Sequence, residues 1–261
     1  MRKPVKDKIK NHSRRQHHGE LESQSPISNQ VRLEKASPKI GTLNEKPLHE
    51  SLKLWYAQVD DIFEVPVDGF IIDIVRGDLL VEVQTQNFRT IKRKLEKLVA
   101  HHPVRLVYPI PCEKWIVKPD ASEIETIRRR KSPKHGVFED IFEELVSFPE
   151  LIMNPNLTIE LLLIQEEEVR RYDGIRGWRR GGWATYERRL LKVVEQRLLK
   201  TPEDMAAFLP AELIDSFTTS DLANTIDKSK RLARKMVYCL RLMGCITIVG
   251  KRANSILYAR A

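Results

Sequence analysis

Phe70-Ile-Ile-Asp-Ile-Val-Arg-Gly-Asp-Leu-Leu-Val-Glu-Val-Gln84 consists of two apolar runs, each interrupted by one acid and joined at Gly77-Asp78. A Gly-X pair between two such runs suits a two-residue hairpin turn of type II′. With Gly77-Asp78 as the loop, Arg76 faces Leu79 and Asp73 faces Glu82. Cross-strand partners share a face with Cβ atoms roughly 4.5 to 5.5 Å apart, and Gln84, two residues beyond Glu82, lies on that same face. A three-residue loop from Arg76 to Asp78 is the alternative; it sets Asp73 opposite Val81 and turns Glu82 to the other face. Two carboxylates opposed in apolar surroundings repel one another and are costly to desolvate, so the first register calls for a raised pKa or a bound cation. Mg²⁺, or Mn²⁺ in its place, suits such hard oxygen ligands, since it is held by one or two carboxylates and keeps waters and phosphate oxygens.

Outward from the hairpin, Leu48, Leu52, Trp55, Tyr56 and Val59 recur at helical spacing and mark a first helix. Residues 63–67 read as a strand preceding the hairpin. Residues 89–100 form a basic amphipathic helix, 104–110 a buried strand and 115–117 a shorter one. A polar connection containing Arg128 and Lys131 then leads to a helix over 137–147 and a strand over 157–164. This order predicts an α/β unit, a mixed sheet flanked by helices.

Asp73, a short hairpin, Glu82-Val83-Gln84 and a following basic helix resemble the core of the PD-(D/E)XK nuclease superfamily, over residues 48–117. The resemblance implies a restriction-endonuclease-like fold in which Asp73 and Glu82 bind Mg²⁺ for phosphodiester hydrolysis. It also implies that Glu50, on the first helix, supplies a further acid. The sequence departs from the pattern at the Lys of E-x-K, which is Gln84 here. An amide cannot bring positive charge to the transition state, although some restriction endonucleases carry Gln at this position and it can orient an attacking water. Arg89, Lys92 and Arg93 either supply the charge or form a solvated face. Asp68-Gly69 reads as a turn, and His101 and His102 as a helix end.

In the C-terminal part, capping residues open a helix over 217–226, and a second helix runs from Ser229 to Met243 and stops at Gly244. Its polar side carries Lys230, Arg231, Arg234, Lys235 and Arg241. Two strands, 245–249 and 256–259, enclose a turn with Lys251 and Arg252. This resembles a winged helix-turn-helix whose first helix is 186–199. It implies a mostly α domain that places the helix from Ser229 in the major groove and Lys251 and Arg252 near the backbone. The Arg-, Gly- and Trp-rich segment before it, with Arg179 and Arg180, adds phosphate-binding charge and rings able to stack on bases or to anchor a loop.

Lys and Arg total 45 against 36 Asp and Glu, a net charge of +9 that favours polyanionic partners. No apolar stretch approaches the ~20 residues of a bilayer span, and the basic N-terminus lacks the apolar region of a signal peptide. A cytoplasmic protein without membrane association is expected. Cys112, Cys239 and Cys245 are too scattered for a disulfide framework and are expected to be reduced. The expected layout is a disordered basic tail over 1–45, a nuclease-like domain over 46–170, a linker over 171–185 and the winged helix over 186–261. The function expected is that of a Mg²⁺-dependent DNA nuclease, as a homodimer where both strands of a duplex are cut. The alternatives are a DNA-binding regulator on an inert nuclease-like scaffold, or a protein-interaction module.

Overall fold

Gly77 has a φ of 56°, the left-handed backbone that the first position of a II′ turn requires and that a residue without Cβ adopts without steric cost. Arg76 pairs with Leu79, Val75 with Leu80 and Ile74 with Val81. The two-residue loop is therefore the register adopted.

The computed structural model describes residues 47–119, 127–174, 180–213 and 215–261. The basic tail expected over 1–45 and Arg179 lie outside the described residues. In chain order the elements are α1 (Pro47–Tyr56), β1 (Ile62–Val67), β2 (Phe70–Arg76), β3 (Leu79–Val83), α2 (Lys92–Leu98), β4 (Val104–Pro119), β5 (Ile127–Lys131), α3 (Phe142–Leu145), β6 (Leu157–Tyr172), β7 (Trp183–Leu199), α4 (Pro202–Ala206), α5 (Thr219–Thr225), α6 (Lys230–Leu242), β8 (Ile246–Arg252) and β9 (Ser255–Arg260). The main sheet runs β1-β2-β3-β4-β6-β7, with β5 on the outer part of β4. β3, β4 and β6 are parallel neighbours and the other pairs are antiparallel. The expected mixed sheet flanked by helices is thus observed. α1 covers one face, where Leu48 and Leu52 pack with Ile74, Val81, Val107 and Leu162; each fully buried leucine contributes about 2 kcal/mol. The opposite face is covered by α2, α3 and the C-terminal helices in one continuous core from Ile72 through Phe142 to Leu240 and Tyr258.

Several elements depart from the sequence expectations. Residues 104–110 and 115–117 belong to one strand, β4, bulged between Pro111 and Glu113. The Arg128–Lys131 connection is a strand, and the helix expected over 137–147 is a 3-10 turn followed by the short α3. The largest correction concerns 186–199, expected as a helix and observed as β7. β6 is 16 residues long, and its edge away from β4 needs a partner for its backbone groups. β7 meets that need along its length, and cross-strand ion pairs reinforce it: Arg188 with Glu166 at 2.6 Å and Arg189 with Glu167 at 4.0 Å. Helix propensity, a few tenths of a kcal/mol per residue, does not compete with such a ladder. The sheet therefore continues to Leu199, across the expected linker and boundary, and 186–261 is not mostly α.

The C-terminal helices follow their local signals. Thr218 and Asp221 form a capping box, Ser229 Oγ accepts from the Leu232 N–H at 3.2 Å, and Gly244 ends α6 with a φ of 73°. No helix among the described residues is long and apolar enough to cross a membrane.

The outer part of the sheet is held by buried carboxylates. Glu168 meets Arg170 at 2.7 Å, Lys114 at 3.1 Å and the Thr185 hydroxyl at 2.9 Å. Burial pushes its carboxyl up, but Arg170 and Lys114 outweigh burial and bring it down to about 2. A carboxyl whose folded pKa is depressed stabilises the protein above its unfolded pKa and stops doing so as pH falls through the folded value. Acid titration of unfolding should therefore show about 3 kcal/mol lost between pH ~4.5 and ~2, and Glu168→Gln should remove that component of the pH dependence.

Candidate functional site

The β2–β3 ladder ends at Ile74 and Val81, and β3 continues in parallel pairing with β4 through Glu82–Leu106 and Val83–Val107. Asp73 and Glu82 are the next positions in register. The Asp73 side chain takes over where backbone pairing stops: the Val83 N–H donates to Asp73 Oδ2 at 2.8 Å.

Two residues not foreseen from the sequence complete the site. His49 of α1 places Nε2 3.1 Å from Asp73 Oδ2; a carboxylate only accepts, so Nε2 carries the proton. Lys94 of α2 forms an ion pair with Glu82 Oε1 and donates to the Ile71 carbonyl at 2.5 Å. Arg89 and Arg93 are exposed and Lys92 pairs with Glu96 at 3.7 Å. Lys94 falls beside the buried Leu95, and its reach to Glu82 depends on how α2 crosses the sheet.

The two acids differ in proton affinity. Burial raises the Asp73 carboxyl, but His49, the Val83 N–H and Lys94 together hold it below its ordinary value. Glu82 is pushed up to about 7 by burial and the Asp73 charge, against the pull of Lys94. Two carboxylates forced together in this way separate into one ionised and one proton-sharing group.

Glu50 lies beside this cluster rather than in it: it pairs with Lys53 at 2.8 Å and sits 3.8 Å from His49 Nδ1. Gln84 does not turn its amide nitrogen to the acids. It donates to the carbonyls of Gln86 and Asn87 and to the Thr90 hydroxyl, and so holds the loop that leads into α2. Asp68 is in the β1–β2 turn with a φ of 50° and pairs with His102 at 3.0 Å. Among the described residues no group of three or more His, Cys, Asp or Glu is arranged to hold a metal ion. Asp73 and Glu82 fit the two-carboxylate mode of Mg²⁺, which takes its other ligands from water and phosphate.

On the C-terminal surface Lys230, Arg231, Arg234, Lys251 and Arg252 are exposed. Arg231 pairs with Glu143 of α3 at 3.0 Å, Lys235 with the same carboxylate at 2.6 Å, and Arg252 with Asp221. Arg180 donates to Thr185 Oγ1 at 3.3 Å.

The fold and the acid pair define a mixed-sheet α/β protein with a charged site where β2 and β3 part. Residues 46–200 match the model of a family described as a domain of unknown function, DUF8091, and the chain belongs to that family. The match ends where β7 ends, so the family domain is the main sheet with α1, α2 and α3. An uncharacterized protein of Treponema pallidum (strain Nichols) is 30% identical over 230 residues, 85% of this chain and 87% of that protein; a likeness of that extent reaches past residue 200 into the C-terminal elements. No solved structure matches the chain.

Proposed function

We propose that this protein is a metal-dependent nuclease that hydrolyses phosphodiester bonds in DNA in the cytoplasm. The observation that carries the reading is the Asp73–Glu82 pair with the Lys94 ammonium delivered to it from the following helix. In the PD-(D/E)XK pattern that the hairpin resembles, a lysine two residues after the second acid brings positive charge. Gln84 stands there in this chain, and Lys94 brings an ammonium to the same carboxylate from α2. Asp73 and Glu82 would hold Mg²⁺ or Mn²⁺, which when bound polarises a phosphate and acidifies a water. His49 keeps Asp73 ionised and oriented, and Glu82, raised toward neutrality by burial and the Asp73 charge, would give up its proton on taking the metal. Cleavage of both strands would use two copies of the site, as in a homodimer.

The order α5, α6, β8, β9 and the exposed cations of α6 support a winged helix that positions DNA. Glu143 draws Arg231 and Lys235 toward α3, and of the other exposed cations of α6, Lys230, Arg234 and Arg241, the first two lie in its N-terminal half. Replacing both with Gln should lower the slope of log K against log salt for a duplex by about 2, at about 0.9 per phosphate contact. Glu143→Gln should tighten duplex binding by releasing its two partners. Fluorescence anisotropy across a salt series checks both.

The test of the nuclease reading is incubation of labelled single- and double-stranded DNA with the purified chain and Mg²⁺ or Mn²⁺, with chelator as control. Cleavage lost on chelation is the expected result. A second reading, a DNA-binding regulator on an inert scaffold, is favoured by one observation: Asp73 has His49 and the Val83 N–H as partners and Glu82 has the Lys94 ammonium, all supplied by the protein. Salt-sensitive DNA binding without cleavage would establish that reading instead.

A further inference from the structure

Two basic segments far apart in the chain meet on the outer part of the sheet. β5 pairs with the end of β4 so that Arg128 lies opposite Lys118, and Arg130 opposite Ile116. Side chains alternate along a strand, and the two sides of β5 differ in their partners. On one side Arg129 and Lys131 flank the Trp115 ring at 4.8 and 5.6 Å, and Glu167 and Glu113 neutralise them at 2.9 and 2.5 Å. On the other side the neighbours of Arg128 and Arg130 include further cations. Lys118 stands next to Arg128, and Arg170 follows in the β4–β6 register. Glu168 answers Arg170, but it also takes Lys114 at 3.1 Å and Arg180 at 3.7 Å. Glu166 also holds Lys114, at 2.7 Å, so Glu168 is left to answer Arg170 and Arg180, while Lys118 and Arg130 add two more cations.

Aromatic rings lie within the same cluster. The Lys118 ammonium sits 4.2 Å from the centre of the Trp183 ring, and Tyr172 meets Trp183 edge-on at 5.9 Å. Tyr172 is 68% exposed, so its ring is open to a ligand. The backbone is shaped to seat it. A Cβ on Gly182 would come within 2.7 Å of the Tyr172 ring, and Gly182 has a φ of 83°; a side chain there displaces the tyrosine.

We infer that Lys118, Arg128, Arg130 and Arg170, with the rings of Tyr172 and Trp183, form a second binding site, for an unpaired nucleic-acid strand. Clustered cations bind the phosphates of such a strand, and exposed rings stack on bases whose faces a duplex hides. The cluster is under mutual repulsion before any ligand arrives: burial, together with Arg170 and Arg130, holds the Lys118 ammonium below its ordinary range. A polyanion relieves that repulsion. The site extends the nucleic-acid reading above, yet it needs neither the acid pair nor α6.

The test uses the full chain in chelator, so that no cutting intervenes, and measures binding of a labelled oligothymidylate and of a duplex of equal length across a salt series. Tyr172→Ala is expected to weaken oligothymidylate binding roughly 5- to 100-fold and Tyr172→Phe to restore it, since stacking needs the ring and not the hydroxyl. Arg130→Gln is expected to lower the single-strand salt slope by about 0.7. Duplex binding should be unmoved by Tyr172→Ala and weakened by Lys230→Gln with Arg234→Gln. Unchanged oligothymidylate affinity in both Tyr172→Ala and Gly182→Ala overturns the site, whatever the outcome of the cleavage assay. Absence of cleavage with these effects intact supports the site and defeats the nuclease reading alone.

Discussion

Glu82→Gln should reduce Mg²⁺-dependent cleavage by at least about 10³-fold, because a bound metal supplies several kcal/mol of charge stabilisation and each 1.36 kcal/mol is about tenfold in rate. The substitution preserves shape in a side chain that is 5% exposed, so loss of fold does not explain loss of rate. Asp73→Asn should behave alike, since it weakens the acceptor for His49 and the Val83 N–H at the same time. Lys94→Met separates the charge from the ligands and should cost about 10²- to 10³-fold, the usual scale for removing one electrostatic stabiliser. Lys92→Met, two residues away and paired with Glu96, should leave the rate unchanged. Loss of Lys94 also has a signed effect on titration: its ammonium pulls the Glu82 carboxyl down, so its removal raises that pKa above about 7. Single-turnover cleavage with the four variants, and titration of the Glu82 carboxyl in metal-free wild type and Lys94→Met, check these statements. Full activity in Glu82→Gln would place the chemistry elsewhere.

Glu166→Ala is expected to destabilise the fold by about 3 kcal/mol. Glu166 is fully buried, with Lys114 at 2.7 Å from Oε1 and Arg188 reaching Oε2 through Nε at 2.9 Å and Nη2 at 2.6 Å. Removing one partner of a buried ion pair costs about 3 to 5 kcal/mol, because the remaining charge is left without compensation. Arg188 and Lys114 are 15% and 24% exposed, so water reaches them in part and the lower end applies. Lys114 also keeps Glu168. Glu166→Leu combined with Arg188→Met should recover part of the loss, since apolar replacement of both partners is often tolerated. Urea unfolding should show a lower midpoint at unchanged slope in the single variant. The double-mutant cycle then gives the coupling.

Several parts of this architecture were legible in the residues because their causes are local. Gly77-Asp78 specifies a two-residue turn by backbone sterics, and that turn sets Asp73 and Glu82 at the positions that follow the Ile74–Val81 pair. Thr218, Ser229 and Gly244 bound α5 and α6 by hydrogen bonds and a left-handed residue within four positions of each helix end. Leu48, Leu52 and Tyr56 mark the buried side of α1, although Trp55 and Val59, at the same apparent spacing, are largely exposed.

Other parts had no local cause. Leu190, Leu191, Val193, Val194 and Leu198 suit a helix as well as a strand, and what makes β7 a strand is an edge of β6 that begins 26 residues earlier in the chain. Arg128-Arg-Arg-Lys131 contains nothing apolar and reads as a connection until β4 is there to pair with it. Lys94 is one of several cations between Arg89 and Lys97, and its role depends on the crossing of α2 over β3. The residues by themselves determined the two-residue hairpin turn and the helix ends of the C-terminal part, because turn sterics and capping act over a few residues. Only the tertiary structure decided which cation meets Glu82, that His49 meets Asp73, and that two basic segments merge on the outer sheet, because strand pairing and the reach of long side chains are settled by elements far apart in the chain.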